Sequence, residues 1–187
     1  MALDTDKITH TALKLLNEIG LDALSTRKLA AELSIQSPSL YKHFRSKAEL
    51  FDHMGAAMLI AKFSELDRQV DWDIWLHNLA RASRDAIRGY RDGARLLITT
   101  SPSEPRRTAL AIDVTQPLLT AGFAYGDARH AVILISSMVE GWMLNEQTEA
   151  TCAMMVRELG DLDDAFDKAV AIIIAGIKTR RKPCTGI

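Results

Sequence analysis

Between Thr26 and Lys47 the chain sets five cations, Arg27, Lys28, Lys42, Arg45 and Lys47, against one acid, Glu32, in a protein of 187 residues whose formal net charge is −1. Ser37, Ser39 and Tyr41 lie among these cations. Cations at this density neutralise phosphates, short hydroxyls exchange hydrogen bonds with base edges, and a lysine reaches the acceptors of guanine. A near-neutral protein can therefore present a positive footprint at one end. On charge alone, the cluster fits a solvated helix face better.

No other part of the chain suggests chemistry. His10, His43, His53, His77 and His130 form no His-x-x-x-His pair; Glu49 and His53, four apart, read as a surface pair rather than a metal site. Cys152 and Cys184 match no metal or redox spacing, and no glycine-rich phosphate loop or nucleophile elbow occurs. No enzyme, metal or cofactor is expected. The best apolar run, Ala169 to Ile177, is too short to cross a bilayer, and Asp4 and Asp6 argue against a signal peptide. The expected location is the cytoplasm.

The elements that must position the basic cluster read as helix after helix. Ile8, Ala12, Leu15, Leu16 and Ile19 repeat at helical spacing, with Gly20 as a stop. A second helix is predicted over about Thr26–Leu33, capped by Ser25 or Thr26. A third is predicted with Ser37 as N-cap and Pro38 at the first helical position, running to about Phe44. Ser46 to Glu49 forms a capping box before a long fourth helix reaching Leu66. Further helices are expected near Trp72–Gly89, Ala94–Thr100, Pro105–Ala121 (kinked at Pro117), Asp127–Glu149 and Asp163–Arg180, with a weaker one at Ala153–Leu159.

Two short helices, the second polar outside and anchored inside by Leu40 and Phe44, fit a helix-turn-helix; an ordinary helical hairpin has the same periodicity. The run Leu24 to Leu50, above all Ser39-Leu40-Tyr41-Lys42-His43-Phe44 followed by Lys47, closely resembles the DNA-binding domain of the tetracycline-repressor (TetR) family. The resemblance implies an all-α fold: an N-terminal three-helix DNA-binding domain with a helix-turn-helix over residues 1–50, and a C-terminal helical bundle over 51–187 for ligand binding and dimerisation. It implies DNA contacts from Thr26, Arg27, Ser37, Pro38, Ser39, Tyr41, Lys42, His43 and Lys47.

In the second half, Tyr90-Arg91-Asp92-Gly93-Ala94, Gly122-Phe123 and the helix around Ser136 resemble, in patches, the tetracycline-binding subgroup. Aligned on Arg91-Asp92-Gly93, that subgroup's metal-ligand histidine falls on Leu97, its drug contacts on Phe63, Leu79 and Ser83, and an acidic position near Asn145. Leu97 cannot hold a cation, so a largely apolar effector is expected in place of a magnesium chelate. Trp75, Met138 and Trp142, together with Phe63, Leu79, Ser83 and Leu97, are the candidate pocket residues, and each fits core packing as well.

Two apolar stripes, Ala131-Ile135-Met138-Val139-Trp142 and Val170-Ile173-Ile174-Ile177, exceed what one chain is expected to cover. The resembled family pairs such helices into a homodimer, which would read a palindromic double-stranded operator with recognition helices about 34–36 Å apart. The basic end, Lys178, Arg180, Arg181 and Lys182, reads as a solvated tail. The leading expectation is a transcriptional repressor released by a small molecule; the alternative is a constitutive DNA-binding regulator whose second domain only dimerises.

Overall fold

The computed structural model describes residues 4–100 and 104–180, all helices and connections; no strand occurs among them. In chain order the helices are α1 (Thr5–Ile19), α2 (Thr26–Glu32), α3 (Ser37–Leu40), α4 (Lys47–Phe63), α5 (Trp72–Arg88), α6 (Gly93–Thr99), α7 (Glu104–Thr120), α8 (Tyr125–Glu146), α9 (Glu149–Leu159) and α10 (Leu162–Arg180).

The first four helices begin and end where local chemistry dictates. Asp4 accepts from the Lys7 N–H at 2.8 Å to cap α1, and Gly20, at φ 76°, closes it with a 2.8 Å bond to the Leu16 carbonyl. Ser25 rather than Thr26 caps α2 through the Lys28 N–H. Ser46 caps α4 through the Glu49 N–H at 3.1 Å. The Glu49 carboxylate reaches back to the Arg45 N–H, one residue before the partner that a capping box uses. The turn after α2 passes through Ser34 at φ 56°, a left-handed backbone that costs a serine about 1 kcal/mol. A 2.9 Å bond from the Ile35 N–H to the Ala30 carbonyl seals the turn.

The third helix departs from expectation. Ser37 is its first residue, not its cap; Gln36 holds the cap position without a side-chain bond, and α3 ends at Leu40. Beyond it, the Tyr41, Lys42 and His43 N–H groups bond three residues back, to Pro38, Ser39 and Leu40. This tighter winding carries the chain to Phe44 as a turn rather than an α-helix. Elsewhere α4 stops at Phe63, three residues short of Leu66, and Pro117 lies inside α7 near its C-terminal end. Ser101 to Ser103 lie outside the described residues.

Two apolar clusters organise the molecule. One joins Ile8, Leu16, Leu29, Leu40, Phe44, Leu50, Met54, Met58 and, from α6, Leu96. The other joins Phe63, Trp75, Leu79, Val114, Leu118, Ile135, Val139, Met143, Phe166 and Val170. Helix α4 serves both, so the head and the body share one rod. The stripes expected to face a partner face this second core instead: Ala131, Ile135, Val139, Val170 and Ile174 are buried within the chain, and Met138, Trp142, Ile173 and Ile177 pack against them. The apolar residues left outside are others, Ile133 and Leu134 on α8, each 50% exposed, and Ile172 on α10, 73% exposed. An apolar stripe in sequence does not say which surface covers it.

Charged contacts fasten α10 and α8 onto α5. Arg81 pairs with Asp167, buried Arg84 bridges Glu146 at 3.0 Å and Asp163 at 2.8 Å, and Arg88 bridges the same two acids. Lys178, though its side chain is 53% exposed, also pairs with Asp73 at 2.6 Å. Arg181, Lys182 and Cys184 lie outside the described residues. Hydrogen bonds from Arg81 and Arg84 hold the Asp167 and Asp163 carboxyls below the usual carboxylate range, and Lys178 does the same for Asp73. A carboxyl depressed in the folded state contributes stability above its unfolded pKa and loses it as pH falls through the folded value. Asp167→Asn should therefore cost up to about 1 kcal/mol at neutral pH. In thermal melts the gap between variant and parent should close below about pH 4; a gap independent of pH would contradict the pairing.

A candidate nucleic-acid interface and a candidate effector cleft

The α3 turn is anchored from below and open above. Leu40 and Phe44 are each 3% exposed, buried in the N-terminal cluster, and Phe44 meets His53 edge to face at 5.0 Å. Anchoring at these positions turns the intervening side chains outward. Pro38, Tyr41 and Lys42 are exposed, while Ser37, Ser39 and His43 are half-buried at the edge of the same face. Thr26 and Arg27 open α2, the first half-buried and the second exposed. Lys47 opens α4 with its ammonium 4.9 Å from the Phe51 ring centroid, exposed beside the helix's free N–H groups. A cation and an amino-terminal helix end together favour an anion. The structure thus places the nine expected DNA-facing residues on α2, α3 with its following turn, and the start of α4.

Of the seven expected pocket residues, all but Ser83 belong to or pack against the body core. Phe63, Trp75 and Leu79 are packed in the body core, and the Trp75 Nε1–H donates to the Val114 carbonyl at 3.0 Å. The Ser83 hydroxyl is buried and donates to the Leu79 carbonyl at 2.7 Å, so it turns back on its own helix. Trp142 stands against Phe166 with ring centroids 5.5 Å apart and donates to Glu146, while Met138 packs on the same core. Asn145, at the aligned acidic position, is exposed and donates to the Gly141 carbonyl.

Leu97 alone of the seven lines a cleft of about 320 Å³ between α4, α6, α7 and α8. Its walls are Gly55, Ala56 and Leu59 of α4, Leu97 and Thr100, Leu110, Ala111 and Val114 of α7, and one stripe of α8. That stripe reads Arg129, Val132, Ile133, Ser136, Ser137, Glu140, the spacing of a single helix face. Sequence reasoning missed Arg129, Glu140 and, on α4, Asp52. The only signal for them was helical spacing around Ser136, and nothing local says that three other helices wall that face.

The cleft and the DNA-facing head meet at α6. Leu96 is fully buried in the head's cluster, and its neighbour Leu97 faces the cleft. Helix α6 also lies close to α4: a Cβ built on Gly55 would stand 3.0 Å from the Leu97 side chain. At the start of α6, Asp92 adopts a left-handed backbone at φ 57° and accepts the Leu21 N–H at 2.9 Å. Asn17 bonds the Arg91 N–H at 2.7 Å, and Arg95 bridges Asp22 at 2.8 Å. Gln147, just after α8, donates to the Ile87 and Tyr90 carbonyls and accepts the Ala94 N–H. No helix among the described residues is long and apolar enough to cross a membrane, and no cluster of three metal-ligating side chains occurs among them.

Residues 8–54 match the family described as bacterial regulatory proteins, tetR family, and residues 66–158 match the tetracyclin repressor-like C-terminal domain. The class A tetracycline repressor protein from transposon 1721 of Escherichia coli is 35% identical over 200 residues, spanning 96% of this chain and 92% of that protein. A crystal structure of a substitution variant of TetR from Acinetobacter baumannii AYE in complex with minocycline superposes with a TM-score of 0.82 at 36% identity, covering 97% of this chain and 99% of that one. A class A TetR bound to 5a,6-anhydrotetracycline and magnesium gives 0.75 at 37% identity, covering 96% and 100%. With this head, this body and relatives of this identity along nearly its full length, the chain belongs to the TetR family of bacterial regulatory proteins.

Proposed function

We propose that this TetR-family regulator represses transcription as a homodimer on a palindromic operator and lets go when a small, largely apolar molecule enters the cleft beside Leu97. The observation that carries this reading is the adjacency on α6 of Leu96, which completes the head's core, and Leu97, which walls the cleft. A molecule that displaces Leu97 must shift α6, and α6 is bolted both to the head's core and to the loop that ends α1. Release requires the effector to bind the non-binding form of the dimer more tightly than the operator-binding form.

In this reading residues 1–50 form the head and 51–187 the effector and dimerisation body, with no catalytic role, in the cytoplasm where the operator lies. Thr26, Arg27 and Lys47 hold phosphates and fix register; Ser37, Ser39, Tyr41, Lys42 and, at the edge, His43 face the major groove. Pro38 contributes shape. The exposed Ile133, Leu134 and Ile172 supply the dimer face. Leu97 offers hydrocarbon to the cleft, which supports an apolar effector over a metal-bound drug.

Electrophoretic shifts with DNA from upstream of the protein's own gene, run with a panel of small molecules, test the whole reading; specific binding that no effector weakens would favour a constitutive regulator. Lys47→Ala should weaken binding on every sequence and lower the slope of log affinity against log salt by about one, and an unchanged slope would remove Lys47 from the phosphate contacts. Ser39→Ala or Lys42→Ala should change the ranking of operator variants by about 1–3 kcal/mol at particular base pairs; a uniform loss would argue against base readout. Tetracycline with magnesium should leave the operator complex intact, and release at low drug concentration would overturn the apolar-cleft assignment.

A further inference from the structure

Glu140 is the side chain in the cleft that the fold does not account for. It sits half-buried at one end of the α8 stripe, and it has neither a hydrogen-bond nor an ion-pair partner among the described residues. Burial alone pushes its carboxyl above the usual carboxylate range. The chain satisfies its other deeply placed charges: Arg84 bonds Glu146 and Asp163 and lies over the Phe166 ring at 4.7 Å. A carboxylate kept partly out of water without a partner is a standing cost, and folding alone has no use for it.

Arg129 lines the same cleft but does not relieve this cost. Eleven positions of helix, about 16 Å along the axis, separate the two, far beyond the roughly 4 Å reach of an ion pair. Between them lie Val132, Ile133, Ser136 and Ser137, and across from them Leu59, Leu97, Leu110 and Val114. Asp52 adds a second carboxylate to the wall. The cleft is thus a largely apolar slot in which Glu140 stands without a partner among the described residues.

Resting on the reading of this cleft as the effector site, we propose that the effector is an apolar molecule carrying a protonated amine, with Glu140 as its counter-ion. The apolar body displaces water along Leu59, Leu97, Leu110 and Val132, and the ammonium donates to the Glu140 carboxylate. A charge-assisted hydrogen bond is about twice as strong as a neutral one, and it also relieves the half-buried carboxylate.

Three probes of one shape separate the contributions: 1-(aminomethyl)naphthalene, a cation; 1-naphthalenemethanol, neutral; and 1-naphthoic acid, an anion. Isothermal titration of the full-length dimer should give a dissociation constant for the amine about tenfold below that of the alcohol, with the acid weakest. Glu140→Gln, which keeps the shape and removes the stranded charge, should melt no lower than the parent and reduce the amine-to-alcohol preference to within about twofold. Glu140→Asp should retain part of the preference, and Arg129→Gln should leave it in place. Leu97→Trp should block all three probes, placing them in the cleft. Equal binding of amine and alcohol, or a preference that survives Glu140→Gln or Leu97→Trp, would overturn the assignment of charge while leaving an apolar effector site standing. Failure of all three probes to bind would overturn the effector reading of the cleft along with it.

Discussion

Helix α6 cannot move without moving something at both ends of the molecule. It is only seven residues long, yet it donates Leu96 to one core and Leu97 to a cleft, and its first turn is pinned by Asp92 to the end of α1. Packed interiors do not deform continuously; they repack or hold. In the proposed reading, this short helix shared between a core and a cavity would switch between two positions, and α4, which runs through both apolar clusters, would link it to the turn after α3.

The head was legible because its signals are local. Ser25 and Ser46 are caps, Gly20 is a stop, and the four-residue spacing of Leu40 and Phe44 marks an anchored turn; each reports on the few residues around it. Even there the winding was misjudged. Pro38 and two serines carry little helical propensity, and the chain tightens after Leu40 instead of continuing as α-helix to Phe44.

The body was less legible because its meaning lies between helices. Ala131, Ile135 and Val139 repeat as a partner-facing stripe would, but they are buried within the chain, and on α8 it is Ile133 and Leu134 that stay exposed. Trp75 and Trp142 attracted attention as ring-bearing pocket candidates, yet both have indole N–H groups bonded within the chain. Conversely, no local feature of the sequence singles out Glu140. Its situation is created by α4, α6 and α7, which come together only in the folded chain. Lys178 illustrates the same limit: a basic terminus suggests solvent, and only folding brings Asp73 beneath it.

Beside the hydrocarbon of α4 and Leu96, the seam between head and body carries a polar layer of Asn17, Asp22, Arg91, Asp92 and Arg95, with the Asp22 side chain 82% and that of Arg95 43% exposed. Ionic strength weakens such contacts and leaves buried hydrocarbon untouched. In the proposed reading salt would act twice, once by competing for phosphates and once by weakening the exposed Asp22–Arg95 bridge beside α6, while the hydrocarbon of α4 and Leu96 stays in place.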